Sequence, residues 1–135
     1  HMFPGVTVRL QQGAHNGHGA IINGADIGQN VLVGMNAVVM DRVKVGKNCI
    51  IGALACVKAD MGLPELSLVV GNPSKIIKEV SDEMIHWKTA GTALYQKLPS
   101  ECHESLRACE PLDALPANRP GQEVLFKTWN EIKDA

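Results

Sequence analysis

The sequence has few aromatic residues: Phe, Trp and Tyr together make up 4% of its 135 residues. Apolar residues nevertheless account for 45% of the chain, so its core must be built mainly from small aliphatic side chains such as Val, Ile and Ala. This balance favours a core of thin layers over one organised around large rings. The length indicates one domain, or one domain with a tail.

Three further absences narrow the function. The formal net charge is -1, so the chain lacks the basic excess that neutralises phosphates, and we expect no nucleic-acid partner. The apolar runs are too short to span a bilayer and no signal peptide is recognisable, which predicts a cytoplasmic protein without a membrane partner. The cysteines form no CxxC pair and are expected to be reduced thiols in that compartment. They are Cys49, Cys56, Cys102 and Cys109.

From residue 21 onward the sequence repeats with a period of six residues. The first position of each hexapeptide is aliphatic and is expected to face the interior, and the fifth is small or β-branched and is expected to fit a narrow corner. The first-position residues are Ile21, Ile27, Val33, Val39, Val45, Ile51 and Val57. A helix has no period of six and a simple strand alternates every two residues, so this spacing indicates a short strand and a corner, repeated. Glycine in second position, as at Gly28 and Gly34, is expected to relieve backbone strain at the turn.

This pattern predicts an all-β core with a C-terminal helix, the core being a single-stranded left-handed parallel β-helix with three hexapeptides per coil. Seven repeats form little more than two coils, which is short for a solenoid that is stabilised by stacking. We therefore expect a homo-oligomer. The repeat is expected to end near Gly62, followed by a loop (62–65), a closing strand (66–70), a turn (71–73) and a short strand to Val80. The predicted β-helix thus covers residues 1–80.

A helical segment is predicted over residues 81–110, because Ser81 is a suitable N-cap and the acidic residues that follow favour a first turn. Gly91 is expected to break or bend this helix. Its apolar residues recur at steps of three and four, which favours core packing or subunit contact. They are Met84, Trp87, Leu94, Leu98, Cys102 and Leu106. Residues 111–135 are predicted to be a loosely ordered tail.

Residues 15–24, HNGHGAIING, contain two histidines three positions apart among glycines. This grouping indicates either the beginning of a metal site or the turn residues of a structural repeat. A hexapeptide-repeat acyltransferase is a further reading, in which CoA binds in the groove between prisms and His18 or His15 is the general base.

Several segments together resemble the γ-class carbonic-anhydrase-like hexapeptide proteins, over about residues 1–115. The matching segments are GHGAI (17–21), VGMNAVVMD (33–41), VGNPSK (70–75), HWK (86–88) and GTALYQKL (91–98). The resemblance implies a homotrimer in which three histidines bind one zinc ion at the cleft between two subunits. On this sequence the three positions are His1, His18 and Asn23, and His15 lies beside the ligands without being one of them.

The resemblance implies that a zinc-bound hydroxide hydrates CO2 or hydrolyses an acyl-CoA thioester at the subunit interface. Asn23 argues against a full zinc site, because an amide oxygen is a poorer zinc ligand than imidazole. His1 precedes Met2 in a pair that is typical of expression vectors, so it is not clearly a native residue.

The family also has an N-terminal segment, carrying an Arg, an Asp and a Gln near the metal, that has no counterpart here. We therefore expect an N-terminally truncated β-helix whose exposed strand edges are covered when two trimers stack into a hexamer. Two alternatives to the zinc enzyme stay open. One is the acyltransferase, which takes acyl-CoA and a small-molecule substrate; the other is a catalytically silent family member with a structural role.

Overall fold

The computed structural model describes residues 4–121 and 124–133. They divide after Thr92 into two compact units. The first unit contains the strands and the beginning of helix α1. The strands are β1 (Arg9–Leu10), β2 (His15–Asn16), β3 (Ile21–Ile22), β4 (Asp26–Ile27), β5 (Leu32–Val33), β6 (Val38–Val39), β7 (Lys44–Val45), β8 (Ile50–Ile51), β9 (Cys56–Val57), β10 (Gly62–Leu63), β11 (Ser67–Val70) and β12 (Lys75–Glu79), and the helices are α1 (Asp82–Ser105) and α2 (Trp129–Ile132).

The short strands form the three faces of a prism. Sheet A contains β1, β4, β7 and β10; sheet B contains β2, β5, β8 and β11, with β12 at its edge; sheet C contains β3, β6 and β9. Within the prism neighbouring strands are parallel, and β12 runs antiparallel to β11. Successive strands along the chain therefore move from sheet A to B to C, which confirms the predicted three-sided parallel β-helix.

From β4 onward the second residue of each two-residue strand faces the interior, and Val69 takes the equivalent place in the longer β11. These eight side chains are at most 5% exposed: Ile27, Val33, Val39, Val45, Ile51, Val57, Leu63 and Val69. The last two lie beyond Gly62, so the prediction that the repeat ends there is wrong. The reason is that residues 65 and 66 form another corner, with Leu66 at φ 62°, where an exit loop was expected. The prism consequently has three full coils and two further strands.

The first coil is one residue shorter than the coils that follow. Asp26 pairs with Arg9, 17 residues before it, and with Lys44, 18 residues after it. The shortening falls at Gly24, which has φ +30° and makes a tighter corner. Because of this shift Ile22 packs against the core, whereas Ile21 is 52% exposed. The assignment of Ile21 to the interior was therefore wrong.

The corners repeat a backbone conformation as well as a sequence pattern. Residues in the left-handed region occur every six positions, with φ between 54° and 65°: Asn30, Asn36, Arg42, Asn48, Leu54, Asp60 and Leu66. Asn and Asp tolerate this region better than other L-residues. Second-position glycine has another role, since a methyl group on Gly34 would lie 2.5 Å from the backbone nitrogen of Ala53 in the next coil. Gly34 is thus required by close stacking of coils, and the expected relief of turn strain is wrong for it.

Helix α1 begins after Ser81, as predicted, and the Met84 amide donates to the Ser81 hydroxyl at 3.4 Å. The helix continues through Gly91, so the expected break at that residue is wrong. Its buried residues are Met84, Lys88 and Thr92, four positions apart. The buried face of the helix therefore differs from the predicted apolar stripe, of which Leu98 is 44% exposed.

The second unit contains the remainder of α1 and the short helix α2. The Thr128 backbone amide and hydroxyl both donate to the Glu131 carboxylate, each at 2.6 Å, and so cap the first turn of α2. Between the two helices, the described residues 106–121 and 124–128 form neither helix nor strand. Over the described ranges, neither helix combines the length and the apolar character needed to cross a membrane.

Candidate functional site

The three edges of the prism differ in chemistry. The edge between sheets A and B, here the polar edge, carries Gly13, Asn30 and Asn48. The edge between sheets B and C, the apolar edge, carries His18, Met35 and Leu54, and the edge between sheets C and A, the charged edge, carries Asp41, Arg42 and Asp60. On the charged edge, Arg42 forms a bidentate pair with Asp60 at 2.6 and 2.9 Å. Of the predicted site residues, His18 thus lies on the apolar edge, away from the charged Arg42–Asp60 pair.

His18 lies on the apolar edge, at the turn between β2 and β3. Its side chain is exposed, and its carbonyl accepts a hydrogen bond from the Asn36 amide at 2.9 Å. Two large apolar side chains share the edge and are exposed: Met35 at 54% and Leu54 at 70%. The neighbouring Ile21 at the start of β3 is exposed as well. His18 thus presents an imidazole beside an apolar strip of surface.

Asn23 lies at the other end of β3, and its side chain turns inward. Its amide nitrogen donates to the Met40 sulfur at 4.0 Å, and its Oδ1 is buried and has no hydrogen-bond partner among the described residues. The Oδ1 of Asp41 in the next coil is buried and unpaired within the same part of the chain. In this structure Asn23 Oδ1 is thus shielded from solvent, whereas His18 is exposed.

The described residues do not fit the zinc ion that the resemblance implies. Position 23 supplies an inward-facing amide in place of imidazole, which leaves His18 as the one family ligand within the described ranges. His1, the third position, lies outside the described residues. In residues 4–121 and 124–133, no three His, Cys, Asp or Glu side chains are grouped closely enough to hold a metal. The donor set is that of an incomplete zinc site.

The polar edge contains a buried lysine that the sequence analysis did not single out. Lys88 of helix α1 is 3% exposed, and its Nζ donates to the Gly13 carbonyl and to Asn30 Oδ1, both at 2.6 Å. Asn30 in turn donates through Nδ2 to Asn48 Oδ1 at 2.9 Å and to the Thr89 hydroxyl at 3.1 Å. Burial lowers the pKa of Lys88 to about 8.

His15 is held beside this network by the same helix. Its Nδ1 lies 3.0 Å from the hydroxyl of Thr92, which is 8% exposed. Burial, and to a smaller extent the charge of Lys88, lower the pKa of His15 below its ordinary value. The neutral imidazole is therefore favoured near neutral pH. The two histidines of HNGHG consequently have different surroundings: His15 packs under helix α1, and His18 faces solvent.

The spacing of Lys88 and Thr92 shows that they share a helix face, although it does not predict that this face is buried. Together with Met84 they lie at intervals of four, which places them on one side of a helix. The prediction instead chose the helix face that carries the apolar residues, such as Trp87 and Leu94. Asn30 carried a weaker signal, because asparagine recurs at the fourth position of several hexapeptides and tolerates positive φ.

Two surface depressions have neither His15 nor His18 among their lining residues. Two open depressions of about 490 and 520 Å³ lie on sheet A, the face opposite the apolar edge. Both are lined by Asp26, Lys44 and Gly62. None of the predicted site residues within the described ranges lines them.

The three-sided parallel β-helix and its six-residue corner repeat are features of a known class of protein. Residues 24–59 match the family model described as bacterial transferase hexapeptide (six repeats). The six-residue period and the parallel β-helix of this chain agree with that match.

The chain is also similar to the carnitine operon protein CaiE. It is 41% identical to CaiE of Escherichia coli O7:K1 (strain IAI39 / ExPEC) over 109 residues, which are 81% of this chain and 56% of that protein. It is 38% identical to CaiE of Salmonella agona (strain SL483) over 111 residues, 82% of this chain and 56% of that protein. The chain therefore spans little more than half the length of the curated relatives that it matches.

Solved structures of acetyltransferases share the fold. A mutant perosamine N-acetyltransferase from Caulobacter crescentus, in complex with CoA and GDP-perosamine, is 32% identical with a TM-score of 0.50, over 53% of this chain and 34% of that one. A putative acetyltransferase from Bacillus cereus has a TM-score of 0.61 at 24% identity, over 72% of this chain and 60% of that one, a likeness in fold.

Proposed function

We propose that this chain is part of an acyl-CoA-dependent enzyme whose reactive histidine is His18, in a seam that a second copy of the chain completes. The observation that carries the proposal is the exposed imidazole on an apolar edge. The Caulobacter relative, whose structure contains CoA, supports the choice of acyl-CoA as the substrate class. The incomplete donor set at positions 18 and 23 weighs against zinc chemistry.

A second copy is the favoured occupant of the apolar edge because of Leu54. This residue adopts φ 61°, which is unfavourable for a leucine, and exposes 70% of its surface. Three asparagines fill the equivalent place at other corners, and the other left-handed leucine, Leu66, is half-buried, so a strained and exposed leucine at position 54 gives the isolated chain no evident benefit. Contact with another prism accounts for it, and the resemblance to γ-class hexapeptide proteins implies a trimer.

The chemistry follows from a solvent-accessible imidazole in such a seam. The imidazole of His18 accepts a proton from an amine, a hydroxyl or a water molecule as that group attacks the thioester carbonyl. The carbon–sulfur bond then breaks, and the protonated ring returns the proton to the CoA thiolate. The acyl group passes to the acceptor, or to water when the reaction is hydrolysis. Apolar walls exclude bulk water and strengthen the electrostatic interactions of this proton transfer.

The proposal is tested by release of CoA from acetyl-CoA, detected with a thiol reagent, in the presence and absence of small amines and sugars. We expect His18→Gln to lower kcat by about 10²–10⁴-fold, the usual contribution of a general base. His86→Gln is the matched control, because His86 is another histidine of the same unit and lies on helix α1, away from the apolar edge. Equal rates for His18→Gln and the parent chain would exclude His18 as the base.

Two binding measurements separate the alternatives. Calorimetric titration with CoA tests the ligand class, and absence of heat at millimolar CoA would exclude the acyl-CoA readings and leave zinc-dependent CO2 hydration or a structural role. Metal analysis of the purified oligomer tests the zinc reading that the family resemblance implies. About one zinc per subunit interface would contradict the assignment of an incomplete site.

A further inference from the structure

The polar edge contains an asparagine ladder that stops at the first coil. Asn48 and Asn30 occupy equivalent corners of successive coils and are joined side chain to side chain at 2.9 Å. The equivalent corner of the first coil is Gly13, which has φ +71° and no side chain to continue the ladder. The Lys88 amine fills that place, bonded to the Gly13 carbonyl and to Asn30 Oδ1.

Lys88 therefore joins the first coil to the second from outside the prism. Both of its acceptors are carbonyl-type oxygens, which suit an ammonium donor, and hydrogen bonds from a charged donor are stronger than neutral ones. The amine is almost completely withdrawn from solvent, so water does not compete for these acceptors. Loss of the amine would leave two buried or half-buried acceptors without this donor.

The segment held in this way leads directly to both histidines. Among the described residues, strand β2 is the outermost strand of sheet B and pairs with β5 alone. Gly13 stands two residues before His15, and the same helix contacts the His15 ring through Thr92. The chain reaches the His18 turn immediately after β2. The placement of His18 thus depends on an edge strand that helix α1 holds at its beginning.

We propose that Lys88 is a positioning residue that fixes the first coil, and with it the His18 turn, by completing the asparagine ladder at Gly13. Where this inference concerns catalysis it rests on the function proposed above for His18. Where it concerns the mobility of the first coil it stands independently, because it depends on the hydrogen bonds and burial of Lys88 alone.

Hydrogen exchange followed by NMR tests the structural part in the full chain. The informative amides are those of His15 and Gly17, which bond to Val31 and Val33, and the reference amide is that of Gly52, bonded to Val69. In Lys88→Met we expect at least tenfold faster exchange at the first two amides and an unchanged rate at Gly52. Lys78→Met is the control, since Lys78 is an exposed lysine of β12.

A second variant keeps the test decisive if Lys88→Met does not fold. Asn30→Gly removes one acceptor of Lys88 while glycine accepts the left-handed backbone of that corner. It should accelerate exchange at the same two amides by a smaller factor. Unchanged exchange at His15 and Gly17 in the folded variants, or equal acceleration at all three amides, would overturn the positioning role.

Kinetics with acetyl-CoA test the catalytic part. A displaced His18 turn should lower kcat of Lys88→Met about tenfold with little change in KM. A mere loss of folded protein would instead lower the apparent kcat and the NMR signal intensity of the folded state by the same factor. Lys88→Arg, which retains the donors, should recover part of the rate. If the parent chain releases no CoA, the proposed function fails, and the exchange data still decide whether Lys88 positions the first coil.

Discussion

Leu54→Asn changes two free energies in opposite directions, which makes it the most informative single substitution on the apolar edge. An L-residue in the left-handed region costs roughly 1–2 kcal/mol, and asparagine avoids part of this cost. Leu54 has φ 61°, so the substitution should stabilise the isolated chain by about 0.5–1 kcal/mol. Urea unfolding at high dilution, where association is weakest, measures this gain.

The same substitution should weaken self-association. Full burial of a leucine is worth about 1.5–3 kcal/mol, and Leu54 has 70% of its surface left to bury, so each copy would lose about 1–2 kcal/mol of association free energy. Since about 1.4 kcal/mol corresponds to a factor of ten, the association constant should fall about 5–30-fold per contact. Sedimentation velocity over a dilution series measures this fall.

A matched substitution separates the two effects. Leu66 has φ 62° on the polar edge, so Leu66→Asn also relieves a left-handed leucine without touching the apolar edge. It should leave self-association unchanged. If Leu54→Asn associates as tightly as the parent chain, or if the parent chain is a monomer at high concentration, the apolar edge is not a subunit contact and the reasoning is refuted.

Three further predictions concern stacking, burial of charge and the incomplete metal site. Gly34→Ala should destabilise the fold by about 1–3 kcal/mol because its methyl group would meet the next coil, whereas Gly62→Ala, with no atom within 4 Å of the added carbon, should be neutral or slightly stabilising in urea unfolding. The pKa of Lys88 is about 8 in the folded chain and 10.5 ordinarily, so between these values the unfolded chain binds more protons and stability should rise with pH; that rise should be absent from Lys88→Met. Asn23→His should increase the zinc content of the purified protein, provided that the new ring turns outward. An unchanged zinc content would mean that the residue at position 23 is not the cause of the incomplete site.

The interior of the β-helix could be predicted from the sequence because its spacing is set by local geometry. Each coil returns to the same face after three hexapeptides, so one aliphatic residue in six must point inward, as Val33 and Ile51 do. The phase of the first coil was mispredicted because its shortening leaves Ile21 and Ile22 as adjacent isoleucines, either of which fits the pattern. Strand register distinguishes them, and register depends on contacts between coils.

The network around Lys88 could not be predicted in the same way. Its members are distant in sequence: Gly13 and Asn30 belong to corners of the first two coils, and Lys88, on helix α1, lies 58 residues beyond Asn30. Sequence periodicity identifies which residues share a face within one element, and it carries no information about which corner a helix packs against. A lysine among apolar residues is ordinarily read as exposed. The 3% exposure of Lys88 is a result of tertiary packing.

The chemistry of the three edges gives each a different role. The polar edge binds helix α1 of the same chain through Lys88. On the charged edge, Arg42 and Asp60 form an ion pair with each other. The apolar edge keeps Met35 and Leu54 exposed in the single chain although it carries His18. A hexapeptide prism repeats its backbone on all three edges, so these differences arise from side chains alone. If a second prism packs against this edge, as proposed, assembly and chemistry depend on the same surface.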